Sequence, residues 1–164
     1  MATTESQPQV KAADAANLGV LRPPLVFLAA IIVGIVIDIR WPMTFFPSAL
    51  TGPIGSATVL AALVLFVYAT RTFRAAGTSV RGSQPTTTIV KTGPYARSRN
   101  PIYLAFCLLQ LGMAIWINSA WLILTLIPAT SLMEYVVIPR EERYLEGRFG
   151  TEYQNYKASV RRWL

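Results

Sequence analysis

The sequence predicts an all-α integral membrane protein with about four transmembrane helices, a C-terminal helical hairpin and an interfacial cytoplasmic tail helix. Three observations predict it. Apolar residues make up 53% of the 164 and charged residues only 14%, a balance too apolar for an ordinary soluble domain in a chain with little room for a second one. The apolar residues fall into four runs, about Pro24 to Ile39, Ile54 to Thr70, Pro101 to Ile117 and Ala120 to Ile138. Each is close to the ~17 to 25 residues that cross a hydrocarbon core of ~30 Å. Of the fifteen Lys and Arg residues, all but Arg40 precede the first run, separate the second from the third, or follow the fourth. The positive-inside rule then places those segments, and both termini, in the cytoplasm.

The elements follow in order. Residues 1–22, rich in Ala, Thr, Ser and Gln, read as a disordered cytoplasmic tail, and 23–164 as a single membrane-embedded domain. Some twenty polar or neutral residues precede the first apolar run, so the start does not have the form of a cleaved signal peptide. The first run is a membrane anchor. The third and fourth runs are joined only by Asn118-Ser119, between Trp116 and Trp121. So short a link forces an antiparallel hairpin whose tip carries interfacial tryptophans. Pro139 predicts a kink where the fourth run ends. Thr151 with Gln154 three residues on reads as a capping box opening a last helix, where Tyr153, Tyr156 and Val160 recur at helical spacing among Lys157, Arg161 and Arg162. That helix either lies in the interface plane as an anchor or closes over a cytoplasmic pocket as a lid.

The hairpin's open end gathers the chemistry-bearing residues. There the element Thr92-Gly93-Pro94-Tyr95-Ala96-Arg97-Ser98-Arg99-Asn100-Pro101-Ile102-Tyr103 enters the third run, and Pro139-Arg140-Glu141-Glu142 leaves the fourth. Carboxylates at such a boundary accept hydrogen bonds from ligand hydroxyls or pair with a cation, and Glu134 is an acid inside the membrane, a functional candidate by its address. Glu134, Glu141 and Glu142 are therefore the candidate catalytic carboxylates. Arg97 and Arg99 are placed either for a ligand or for lipid phosphates. Phe73, Phe106 and Trp116 read as packing or interface residues, and Cys107, the single cysteine, as a small apolar packer.

Several reaction classes lack their parts. With no histidine and one cysteine, a zinc hydrolase has no ligands, and no metal is predicted. No nucleophile elbow, phosphate-cradling loop or dinucleotide fingerprint is present. The basic segments alternate in register with the apolar runs, which assigns them to topology and predicts no nucleic-acid partner. What remains is chemistry carried by a cofactor that the protein positions and shields from water.

The residues that support this are Gly77-Thr78, then Thr87-Thr88-Ile89-Val90-Lys91-Thr92-Gly93-Pro94-Tyr95, Arg99-Asn100-Pro101-Ile102-Tyr103, and Glu141-Glu142, Phe149-Gly150, Tyr153 and Tyr156. In order and spacing they resemble the isoprenylcysteine carboxyl methyltransferase and phospholipid methyltransferase families of membrane enzymes, over about Phe73 to Trp163. The resemblance implies S-adenosylmethionine as methyl donor, bound on the cytoplasmic side by Thr87, Thr88, Ile89, Val90, Tyr95, Asn100, Pro101, Ile102, Tyr103 and Glu141. It implies a lipid-like or apolar acceptor, a carboxylate or an amine, taken from among membrane lipids, with Arg140 near it. Many members carry His at Asn100, and the position of their acceptor arginine is here Val137. Membrane sterol reductases resemble the same hairpin entrance and bind NADPH, so a reductase of that type, or a non-catalytic membrane subunit, is the alternative reading.

Overall fold

The computed structural model describes residues 22–77 and 87–164. The N-terminal tail, Thr78 of the Gly-Thr pair and Arg81 lie outside the described residues. Every regular element among those described is helical: α1 Pro23–Arg40, α2 Ser48–Ala75, a 3-10 turn Gly93–Ala96, α3 Pro101–Trp116, α4 Ala120–Leu132, a π turn Met133–Val137, α5 Ile138–Phe149 and α6 Thr151–Ser159.

Prolines open several of these helices, because a missing N–H costs nothing in the first turn and the ring fixes φ near the helical value. Pro23 and Pro101 occupy such positions in α1 and α3. Three helices are long and apolar enough to cross a membrane: α1, α2, and the continuous helix from Ala120 to Phe149. The chain is a membrane protein by that measure. The third predicted span is shorter than the others, 16 residues in α3, or about 24 Å of rise.

The predicted hairpin forms, and each arm has a second partner: α3 packs along α2, and α4 along α1. Glycines set the α2–α3 approach. A Cβ on Gly112 would sit 2.8 Å from the Val59 backbone nitrogen, and one on Gly55 would sit 2.6 Å from the Trp116 backbone. No other residue permits the helices to come so close. Phe106 of α3 then reaches both neighbours, its ring 5.5 Å from Phe27 of α1 and 5.6 Å from Phe66 of α2. Phe106 and Phe73 are packers, as their positions predict.

The hairpin tip is clasped to the α1–α2 loop. Asn118, at φ 56°, accepts from the Phe45 and Phe46 amides at 3.1 and 2.9 Å and donates to the Phe46 carbonyl at 2.9 Å. Ser119 donates to Asp38 at 2.8 Å, and Trp121 donates to the Trp41 carbonyl at 2.7 Å. These bonds fix one end of the bundle. At the other end lie the 3-10 turn, α5, α6 and the C-terminal residues.

At Pro139, where a kink is expected, the helix runs on without interruption through a π turn just before it, in which the Ile138 amide donates five residues back, to the Met133 carbonyl. Widening the turn by one residue is a way for a helix to pass a proline ring that would otherwise meet a carbonyl. The capping box at Thr151 does not form. The cap is Gly150 at φ 53°, whose carbonyl receives the Tyr153 and Gln154 amides, and no side chain caps α6.

Candidate active site

The π turn sets the phase of the carboxylates. In an unbroken α-helix Glu134 and Glu141, seven apart, would share a face, and Glu142 would be about 80° from Glu134. Absorbing one extra residue moves Glu142 to within about 20° of Glu134 and turns Glu141 away. The contacts agree. Arg162 of the C-terminal tail holds both acids, Glu134 through a short Nη1 bond and Glu142 through Nε at 3.2 Å and Nη2 at 2.8 Å. Glu141 instead accepts a hydrogen bond from the Tyr103 hydroxyl at 2.6 Å.

That bond joins the two halves of the site, since Tyr103 lies in the first turn of α3 and Glu141 in the first turn of α5. Glu141 is partly buried, and the oxygen not bonded to Tyr103 remains for a further donor. Glu142 is the more deeply placed acid, 6% exposed. It is the hub of an ion network, with Arg99 at 3.2 Å and Lys157 at 3.7 Å besides Arg162. Arg99 thus pairs with Glu142, whereas Arg97 and Arg140 are exposed.

Around Glu141 and Glu142 stand four tyrosines. The Tyr156 hydroxyl donates to the Tyr95 carbonyl at 2.7 Å, locking α6 onto the 3-10 turn. Tyr153 and Tyr156 are both buried, so the tail helix covers the 3-10 turn instead of offering these rings to an interface. Burial pushes the Tyr153 phenol up to about 12, Glu142 adding to the effect and Arg99 opposing it. Tyr95 and Tyr156 are raised further, again chiefly by burial. All three stay protonated donors near neutral pH. Several buried donors have no partner: the Tyr95 hydroxyl and the Nε and Nη1 of Arg99, whose side chain is 9% exposed. Orphaned donors of this depth cost ~1 to 3 kcal/mol each unless a ligand or water meets them.

The remaining predicted positions divide. Val90 and Ile102 pack with Tyr95, Ala69 and Phe73 in one apolar cluster under the turn. Thr87 donates to the Gly77 carbonyl at 3.3 Å, with Thr88 and Ile89 half-buried between it and Val90. Asn100 faces the tail: its side-chain amide donates to the Arg162 carbonyl at 3.1 Å, beside Ser98 donating to the same carbonyl at 3.4 Å and the Arg99 amide donating to Arg161 at 3.0 Å. Pro101 is buried at the start of α3.

Sequence reasoning passed over Ser98, Arg162 and Trp163. Trp163 donates to the second oxygen of Glu134 at 2.7 Å and packs on the core of α1 and α4. The available signal was Glu134 itself, since an acid at membrane depth requires a cation or donors. Beside that acid lies an open pocket of about 280 Å3, lined by Cys107, Thr130, Ser131, Glu134, Tyr135 and Trp163.

The sequence of these elements matches a known family. Residues 50–152, which run from α2 through α5 into α6, match the phospholipid methyltransferase family. An uncharacterized protein of Haemophilus influenzae is 40% identical over 63 residues, 38% of this chain and all of that one. No solved structure matches. With its family match spanning the hairpin, the paired acids and the Tyr95 turn, the chain belongs to the phospholipid methyltransferase family of membrane methyltransferases.

Proposed function

We propose that the chain is an S-adenosylmethionine-dependent methyltransferase that acts, at the cytoplasmic face, on an apolar or lipid-like acceptor bearing a carboxylate or an amine. The observation that carries this reading is the 2.6 Å bond between Tyr103 and Glu141, which ties the hairpin's entrance to its exit beside unpaired buried donors. Those groups suit the cofactor. Arg99 and Tyr95 offer donors to its carboxylate and other acceptors, and the free lone pairs of Glu141 offer acceptors to its hydroxyls or ammonium. The candidate contacts are therefore Glu141, Tyr103 and Tyr95, with Asn100 through Ile102 and Thr87 through Val90 framing them.

When bound, S-adenosylmethionine supplies an electrophilic methyl group on a sulfonium. The chain's task is to hold an acceptor in line with it and to exclude water. Tyr103 holds the Glu141 carboxylate in one orientation, and α6 covers the site from the side of the 3-10 turn through Tyr153 and Tyr156. A carboxylate acceptor needs no base. An ammonium acceptor must first lose a proton, and Glu141, Glu134 and Glu142 are the candidate bases, directly or through water. The pocket beside Glu134 gives such an acceptor a lateral way in from the lipid. Arg140, exposed at the start of α5, is the candidate contact for an acceptor head group.

The test is a titration of purified protein in detergent with S-adenosylmethionine and, separately, NADPH. Saturable binding of the first, with methyl transfer to an added amphiphile, is the expected result. Binding of NADPH with none of S-adenosylmethionine would overturn the reading in favour of reductase chemistry.

A further inference from the structure

The two acids held by Arg162 are not equally provided for. Glu142 keeps Arg99 and Lys157 whether or not the tail is in place. Glu134 has no cation among the described residues except Arg162, and its other oxygen is held by Trp163. Both partners of Glu134 thus come from one short C-terminal segment. That segment is extended beyond Ser159, with Val160 at φ −128° and ψ 134°, and outside the Arg162 and Trp163 side chains it is held mainly by Ser98, Arg99 and Asn100 reaching its carbonyls. Water can replace such bonds when the segment lifts. The pocket beside Glu134 is an open one, lined by Trp163 and by Tyr135, which is 78% exposed.

We infer that Glu134 is a cation site filled by the chain's own Arg162, and that an ammonium-bearing amphiphile reaches it only by displacing the Arg162-Trp163 tail. This rests on the methyltransferase reading above, in which such an amphiphile is an acceptor. A guanidinium is charged at every working pH, so the tail leaves by competition and not by titration. The competitor needs a compact cation for Glu134 and an apolar chain for the lipid side of the pocket. A neutral amphiphile of equal length lacks the first. The tail then acts as an internal competitor: if it is seated nine-tenths of the time, the apparent dissociation constant of the amphiphile is raised about tenfold.

The experiment uses the full chain in a nonionic detergent, with Trp41, Trp116 and Trp121 replaced by Phe so that Trp163 alone among the four tryptophans reports. Dodecylammonium is titrated in, with dodecanol as the neutral control. The expected result is a saturable red shift of Trp163 emission with dodecylammonium and none with dodecanol. Arg162→Gln should tighten dodecylammonium binding about tenfold, and Glu134→Gln should remove the emission response. Binding that leaves Trp163 emission unchanged, an Arg162→Gln variant that binds no tighter, or no binding at all would each overturn the inference. If Arg162→Gln does not fold, the emission shift in the Trp163-only protein decides the matter. S-adenosylmethionine affinity is measured on the same samples: its absence refutes the methyltransferase reading, whereas intact cofactor binding with an unresponsive tail refutes the displacement alone.

Discussion

At the residue scale, two adjacent glutamates with one sequence motif between them have different physical tasks. Glu141 accepts from Tyr103 and keeps an oxygen free, whereas Glu142 is buried among cations. Glu141→Gln should therefore weaken S-adenosylmethionine binding roughly 10- to 150-fold, the equivalent of a hydrogen bond to a charged group at ~1.5 to 3 kcal/mol. The melting temperature in detergent should barely move. Glu142→Gln should do the reverse, because it leaves the buried Arg99 guanidinium short of its counter-charge. Breaking a buried pair from one side costs ~3 to 5 kcal/mol, which thermal unfolding would register as a loss of many degrees. Equal melting temperatures for the two variants would refute this division of labour. The sequence placed both acids at the hairpin's open end but could not divide their tasks, since it carries no record of the tail that folds back to Glu142 from twenty residues away.

At the element scale, the close approach of α2 and α3 depends on what Gly55 and Gly112 lack. Gly112→Ala would put a methyl 2.8 Å from the Val59 nitrogen, so the helices must part. We expect a loss of ~1 to 3 kcal/mol, read as a lower melting temperature, with Gly147→Ala, which meets nothing within 4 Å, as a harmless control. The π turn makes a second prediction. Because it amounts to one inserted residue, deleting exposed Tyr135 together with Pro139→Ala restores a plain α-helix and keeps Glu134 and Glu142 in phase with Arg162. That double variant should unfold within a few degrees of the parent, whereas deleting a residue in mid-α3 should abolish folding. The helices and the two-residue hairpin link were legible from hydropathy and length. The π turn was not, because Pro139 read in isolation signals only a kink, and the widening of the preceding turn depends on what Glu134 and Glu142 must reach.

At the scale of the whole molecule, the two ends of the bundle are chemically unlike. One carries the α1–α2 loop and the hairpin tip, the other the 3-10 turn, the paired acids and the tail. In a background with Cys107→Ala, single cysteines at Thr92 and Leu164 should react with a membrane-impermeant maleimide only after cell lysis, and a cysteine at Ser48 should react in intact cells. Labelling of Thr92 and Leu164 from opposite sides would remove the arrangement. That expectation of sidedness comes from the charge segregation in the sequence. The seating of the C-terminal residues was not readable, because Arg161 and Arg162 look like any basic pair at a membrane surface until Asn100 and Ser98 are seen to hold the Arg162 carbonyl.

The clasp at the hairpin tip bears on how the chain is assembled as it is made. The Phe45 and Phe46 amides and the Asp38 carboxylate are synthesised long before Asn118 and Ser119, up to 81 positions later in the chain, exist to meet them. Until then they depend on water. Docking of the tip replaces that water with fixed partners, and it brings the second helical pair into register with the first in a single late event. An Asn118→Ala chain should thus be made and inserted at the usual rate, yet linger in a form whose hairpin has not engaged, a target that a membrane protease recognises and the finished bundle does not present.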